Sequence, residues 1–231
     1  MREAYNRALL EIIDGVKDSG TCLDCGAADG ARFRSLADNH VMTPDRYTGI
    51  EWNEELAGRA RANGINLIQG DLNNPLPFDD GSFNCVFGLS VLEHLLYPCR
   101  FIRECQRVLK DNGTFIVLTP NISTFFTAFL ILAGKMPSSG PHPDSELLLS
   151  KEVIFKVSPD NLVSDAESDR PSHRHLVVFS YRFLKSYLML AGFKNIRGYG
   201  YGLYPFPNWL QPVVEKLDPW HCHQMVFIAK K

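Results

Sequence analysis

The sequence predicts an α/β protein, a mostly parallel sheet with helices on both faces. Three observations carry that prediction. From Thr21 to Leu118, short apolar strands alternate with stretches of helical periodicity. The first strand runs into a turn of small residues, Cys25-Gly26-Ala27-Ala28-Asp29-Gly30, before a helix begins. Acidic residues, Asp24, Glu51 and Asp71, stand at the ends of three successive strands, where parallel sheets open a ligand crevice.

Taken in order, Ala8, Leu9, Ile12, Ile13 and Val16 give one apolar face to a helix over 4–16, which Asp18-Ser19-Gly20 ends. Strands follow at Thr21–Asp24, Arg46–Glu51 and Asn66–Gln69, with helices over 31–37 and Glu54–Ala62 between them. The run Asn73-Asn74-Pro75-Leu76-Pro77-Phe78-Asp79-Asp80-Gly81 is rich in turn formers and predicts a loop. Phe83–Leu89 is a fourth strand and Pro98–Leu109 a helix. Asp111-Asn112-Gly113 caps that helix, and Thr114–Leu118 is a fifth strand.

The alternation stops after Pro120. Residues 122–175 hold an apolar stretch, Phe125–Met136, then a Pro/Ser/Gly-rich segment and an acidic one. A structureless loop of that length is improbable in a compact domain, so the expectation is a helical cap inserted after strand five. A helix over Ser180–Ala191, a strand over Phe193–Gly200 and a buried strand over Met225–Ala229 complete the chain.

A length of 231 residues suits a single domain, and the apolar content of 45% is ample for a core. The net charge of −2 offers no electrostatic reason for a nucleic-acid partner. Met1-Arg2-Glu3-Ala4-Tyr5 lacks the apolar core of a signal peptide, and Phe125–Ala133 is far short of a bilayer span. The expectation is therefore a cytoplasmic protein with reduced cysteines and no stable membrane insertion. Cys22-Leu23-Asp24-Cys25 has CxxC spacing but lies on a strand, and His221-Cys222-His223 reads as a strand entrance, so no metal site is expected. The oligomeric state is not legible.

The small-residue turn brings backbone N–H groups and bare backbone to a ligand. G-x-G-x-x-G is absent because Ala28 fills its second glycine position, which a cofactor site tolerates at negative φ. Glu51 is placed to accept from both hydroxyls of a ribose, Trp52 to line an adenine pocket, and Asp71 to accept from an adenine amino group. Alone, each acid is more often a solvated strand end.

A longer set of segments adds specificity. These are Leu23-Asp24-Cys25-Gly26-Ala27-Ala28-Asp29-Gly30, Gly49-Ile50-Glu51, Gly70-Asp71-Leu72 and Leu76-Pro77-Phe78-Asp79-Asp80-Gly81-Ser82-Phe83. Ser90-Val91-Leu92-Glu93-His94-Leu95 and Leu109-Lys110-Asp111-Asn112-Gly113 continue the series. In this order they resemble the class I S-adenosylmethionine (SAM)-dependent methyltransferases, most of all the branch of ubiquinone and menaquinone biosynthesis.

The resemblance implies a Rossmann-like seven-stranded sheet of order 3-2-1-4-5-7-6 with strand seven antiparallel. It implies SAM as cofactor, with Asp24 and Gly26 beside its amino-acid end and Glu51 at the ribose; Ala28 and Gly30 of the same turn, and Trp52, complete the expected cofactor-binding set. Asp71 and Leu72 frame adenine, and Gly88 and Leu89 pass under the methionine portion. Some members use a Glu-His pair with a divalent metal and a further acid, but Ser90 stands where that acid would be. His94 is the candidate acid/base, against the alternative that it bonds a loop or caps a helix. His142, His173 and His175 fall in the expected cap, and Tyr199, Tyr201, Tyr204, Phe206 and Trp209 either line an acceptor pocket or pack the last hairpin. The expected function is methyl transfer to a small-molecule acceptor, at oxygen. The alternatives are a SAM-binding protein without turnover and a nicotinamide-dependent oxidoreductase.

Overall fold

Helix α1 (Arg2–Gly15) forms because Ala4, Ala8 and Ile12 fall on one face and are buried there. The computed structural model describes residues 2–137, 175–207 and 209–231. Within them β1 (Cys22–Cys25), α2 (Ala31–Asp38), β2 (Tyr47–Glu51), α3 (Glu54–Ala62), β3 (Leu67–Gln69), β4 (Phe83–Leu89) and α4 (Pro98–Val108) follow in order. Then come β5 (Leu109–Pro120), α5 (Phe125–Leu132), α6 (Tyr181–Leu190), β6 (Lys194–Tyr201), α7 (Gln211–Leu217) and β7 (Gln224–Lys230). Capping fixes several starts: Asn53 accepts from the N–H groups of Glu55 and Leu56 at α3, and Ser180 accepts from Phe183 at α6.

The sheet has the order β3-β2-β1-β4-β5-β7-β6. The pairs β1–β2, β1–β4, β2–β3 and β4–β5 are parallel, whereas β7 runs antiparallel to both β5 and β6. This is the Rossmann-like arrangement the resemblance implies. The period of two along each strand divides the core between two faces. On β4, Cys85 and Phe87 pack with α1, α2 and α3, while Val86 joins the cluster of Phe101, Ile102 and Cys105 from α4 and Leu184 and Leu188 from α6. Cys22 and Cys25 follow the same rule and point into opposite clusters, and both are free thiols. Burial pushes the Cys22 thiol up, which leaves it inert.

Three expectations need adjustment. Strand five is longer than Thr114–Leu118: Leu109 already pairs with Phe83, and the register then jumps to Thr114 opposite Cys85. The expected turn Asp111-Asn112-Gly113 survives as a bulge within the strand, with Asn112 at φ +62. The apolar stretch after Thr124 is helical only over Phe125–Leu132. Finally, α7 has no counterpart among the sequence expectations. Most of the expected cap, including His142 and His173, lies outside the described residues.

Candidate active site

The parallel strands β1, β2 and β4 end side by side, and their carboxyl ends form the crevice expected for such a sheet. The turn from Gly26 to Gly30 lies over it. Gly26 and Ala27 both donate to the Ile50 carbonyl, which stitches the turn to β2. Gly26 and Gly30 each have φ +81, and an added Cβ would come within 2.5 Å of Val91 at the first and 2.4 Å of Ile65 at the second. A side chain at either position would be strained by the left-handed backbone and would have to push its neighbour aside. Between them Ala28 has φ +49, not the negative value expected for an alanine in a cofactor turn. Its N–H donates to Glu51 Oε2 at 2.9 Å, so a charge-assisted hydrogen bond holds the left-handed conformation in place.

Glu51 is the last residue of β2 and is buried. Its other oxygen, Oε1, accepts from the Asn53 N–H at 3.0 Å, so one carboxylate ties the turn after β1 to the start of α3. Trp52, beside it, is 53% exposed. Asp71 lies two residues beyond β3, and its Oδ1 accepts from the backbone and side-chain nitrogens of Asn73. Asn73 Oδ1 in turn accepts from the N–H groups of Leu96 and Tyr97, joining this loop to the segment after β4. Leu72 is buried beneath.

Asp24 differs from the expectation that all three acids open onto the crevice: it has no exposed surface. The Tyr47 hydroxyl donates to its Oδ2 at 2.7 Å, and Arg32 Nη1 stands 3.5 Å from Oδ1. Burial drives its pKa up, and Arg32 and Tyr47 oppose that rise. The sequence reading missed both partners. Gly88 and Leu89 close β4 as expected, and Ser90 follows at φ +56 with its Oγ 2.7 Å from the Tyr5 hydroxyl.

Past β4, His94 ends a short 3-10 turn, Leu92–His94. Its ring packs edge-on against His175, with centroids 5.4 Å apart. His175 is held there because the next two residues, Leu176 and Val177, donate to the Glu93 carbonyl. Glu93 itself is buried, accepts from the Thr119 hydroxyl at 2.9 Å, and has its pKa pushed up to about 7 by burial. One ligand atom each from Glu93, His94 and His175 lie within 4.8 Å of one another. Two imidazoles and a carboxylate are a donor set suited to a divalent transition ion, a group that the sequence expectation of no metal did not foresee. His175 is the single cap histidine within the described residues. The C-terminal pair is tied up otherwise: His221 Nδ1 bonds Asp218 and its ring stacks on Phe125, while Cys222 is buried. Of the late aromatics, Tyr199 and Tyr201 pack against the α1 side of the core, whereas Tyr204, Phe206 and Trp209 are exposed.

Residues 23–117 match the family described as methyltransferase domain. A probable S-adenosylmethionine-dependent methyltransferase of Mycobacterium tuberculosis is 42% identical over 103 residues, 44% of this chain and 35% of that protein. A phthiotriol/phenolphthiotriol dimycocerosates methyltransferase of the same organism is 33% identical over 99 residues, 40% of this chain and 34% of that one. The aligned part is thus about a third of the length of these relatives. Among solved structures, a putative methyltransferase in complex with the Trm112 activator of Haloferax volcanii superposes with a TM-score of 0.61 at 16% identity, over 98% of this chain and 87% of that one. At that identity the likeness concerns the fold. The matched segment, residues 23–117, contains the turn from Gly26 to Gly30, Glu51, Asp71 and the pair Glu93–His94.

Proposed function

We propose, on the premise that residues 23–117 are a class I SAM-dependent methyltransferase domain, that the chain transfers the methyl group of SAM to an oxygen of a small-molecule acceptor. The observation that carries this reading is the turn from Gly26 to Gly30, locked over the ends of β1 and β2 by Glu51. In this reading Glu51 accepts from the ribose hydroxyls, and Trp52, Asp71 and Leu72 surround adenine. Asp24, Gly26, Ala28 and Gly30 flank the amino-acid end, and Gly88 and Leu89 run beneath the methionine. His175, at the end of the segment expected to form the cap, stands beside His94.

Oxygen as the acceptor atom is supported by the cluster of Glu93, His94 and His175. A hydroxyl that attacks the methyl carbon forms an O–C bond while the C–S bond breaks, its electrons neutralising sulfur. The hydroxyl proton must then leave, and the His94 imidazole takes it. SAM is an activated donor, so positioning supplies much of the remaining acceleration.

The test is methyl transfer from radiolabelled SAM across a panel of phenols and sugar alcohols, in wild type and His94→Ala. The variant is expected to keep cofactor affinity, lose about 10²–10⁴-fold in turnover, and lose the rise in rate through neutral pH. Burial pushes the Glu93 pKa up to about 7, in the same range, so Glu93→Gln is measured alongside: it keeps the limb if His94 is the base. Near-normal turnover in the variant would contradict the assignment. The convergence of three ligand atoms favours a second reading, a divalent ion polarising the acceptor oxygen. Loss of turnover on chelation, restored by Mn²⁺ or Zn²⁺, would select it.

A further inference from the structure

The carboxyl ends of β1 and β4 enclose a cation seat, and the chain fills it with a side chain of its own. Arg32 Nη1 donates to the Gly26 carbonyl at 2.9 Å and stands 3.5 Å from Asp24 Oδ1, while Nη2 donates to the Leu89 carbonyl at 3.2 Å. These acceptors come from adjacent strands, since Cys25 and Gly88 pair across β1 and β4 just before them. The Arg32 side chain is only 24% exposed and the Asp24 side chain not at all. Two carbonyls and a carboxylate suit an ammonium group as well as a guanidinium, because an ammonium carries three N–H donors.

Asp24, Gly26 and Leu89 are the residues set beside the methionine portion of SAM in the proposed function. We propose that Arg32 is a built-in competitor for the α-ammonium of the cofactor, so that SAM and its product bind only by displacing this guanidinium. The inference rests on the SAM reading of the site. Three further features bear on it. Arg32 is the second residue of α2, where the positive end of the helix dipole repels a cation, so its position depends on the acceptors and not on its own helix. Its long, flexible stem lets the head swing outward without moving the backbone. With Arg32 in the seat, the buried charge of Asp24 is already compensated and gives an arriving ammonium little extra attraction.

The expected consequence is a gain of affinity when the arginine is removed, an effect that structural damage does not produce. In Arg32→Met the apolar stem remains, and Asp24 is left for the ligand's ammonium to neutralise. Calorimetric titration of the full chain with S-adenosylhomocysteine should show binding at least tenfold tighter than wild type. Titration with 5′-methylthioadenosine, which lacks both the ammonium and the carboxylate, should change less than twofold. Arg32→Lys, with one shorter cation for the same seat, should fall between, and it decides the matter if Arg32→Met does not fold. Unchanged or weaker S-adenosylhomocysteine binding in a folded variant would overturn the proposal. If wild type binds neither compound, the SAM reading itself fails, and the competitor with it.

Discussion

At the scale of single residues, Ala28 is where local sequence chemistry and structure disagree. An alanine at φ +49 is disfavoured by about 1–2 kcal/mol relative to ordinary helical or extended backbone, and the Glu51 carboxylate offsets that cost through the Ala28 N–H. A glycine would keep the hydrogen bond and remove the strain. Ala28→Gly is therefore expected to stabilise the fold by about 0.5–1 kcal/mol, a rise of about 1–4 °C in a thermal melt. A lowered melting temperature would show that Ala28 is not strained. The acids Asp24, Glu51 and Asp71 were legible because they stand at or just past strand ends, which the alternation locates, and the pair Glu93–His94 through the resemblance. Their partners were not. Tyr47 reaches Asp24 across a strand, and Arg32 reaches it from a helix; neither spacing carries a signal of its own. The meeting of His175 with His94 depends on a backbone pairing with Glu93 that only the folded chain reveals.

Among the elements, α3 and β4 match their expected bounds end to end, because apolar periodicity, the Asn53 cap and flanking turns agree there. Helix α7 escaped notice because Pro212 and a short, mixed pattern give it no periodic face. Strand β5 outran its expected limits because a turn signal inside it became a bulge instead of an end. The joint between β2, the glycine turn and α3 has the clearest mechanical consequence. A single carboxylate, Glu51, accepts from the N–H groups of Ala28 and Asn53, so the residue proposed to hold the ribose also organises the turn. Glu51→Ala is expected to remain folded by circular dichroism but to lose about 1–3 kcal/mol of stability. S-adenosylhomocysteine affinity should fall by about tenfold or more. Full affinity in the variant would mean that Glu51 only braces the turn.

For the whole molecule, alternation alone established an α/β class, whereas the strand order came from the resemblance. Nothing in periodicity distinguishes an antiparallel β7 from a parallel one; its register with β5 and β6 does. That order places the crevice between β1 and β4, where the chain turns from one side of the sheet to the other. No helix among the described residues is long and apolar enough to cross a membrane. The choice between a methyl donor and a nicotinamide cofactor turns on the same crevice, because both ligands present a ribose to an acid at the end of β2. Calorimetric titration of the full-length chain with S-adenosylhomocysteine and, separately, with NAD tests the central claim most directly. A saturable heat at one equivalent of S-adenosylhomocysteine, with none for NAD, is the expected result; binding of NAD without any response to S-adenosylhomocysteine would contradict it.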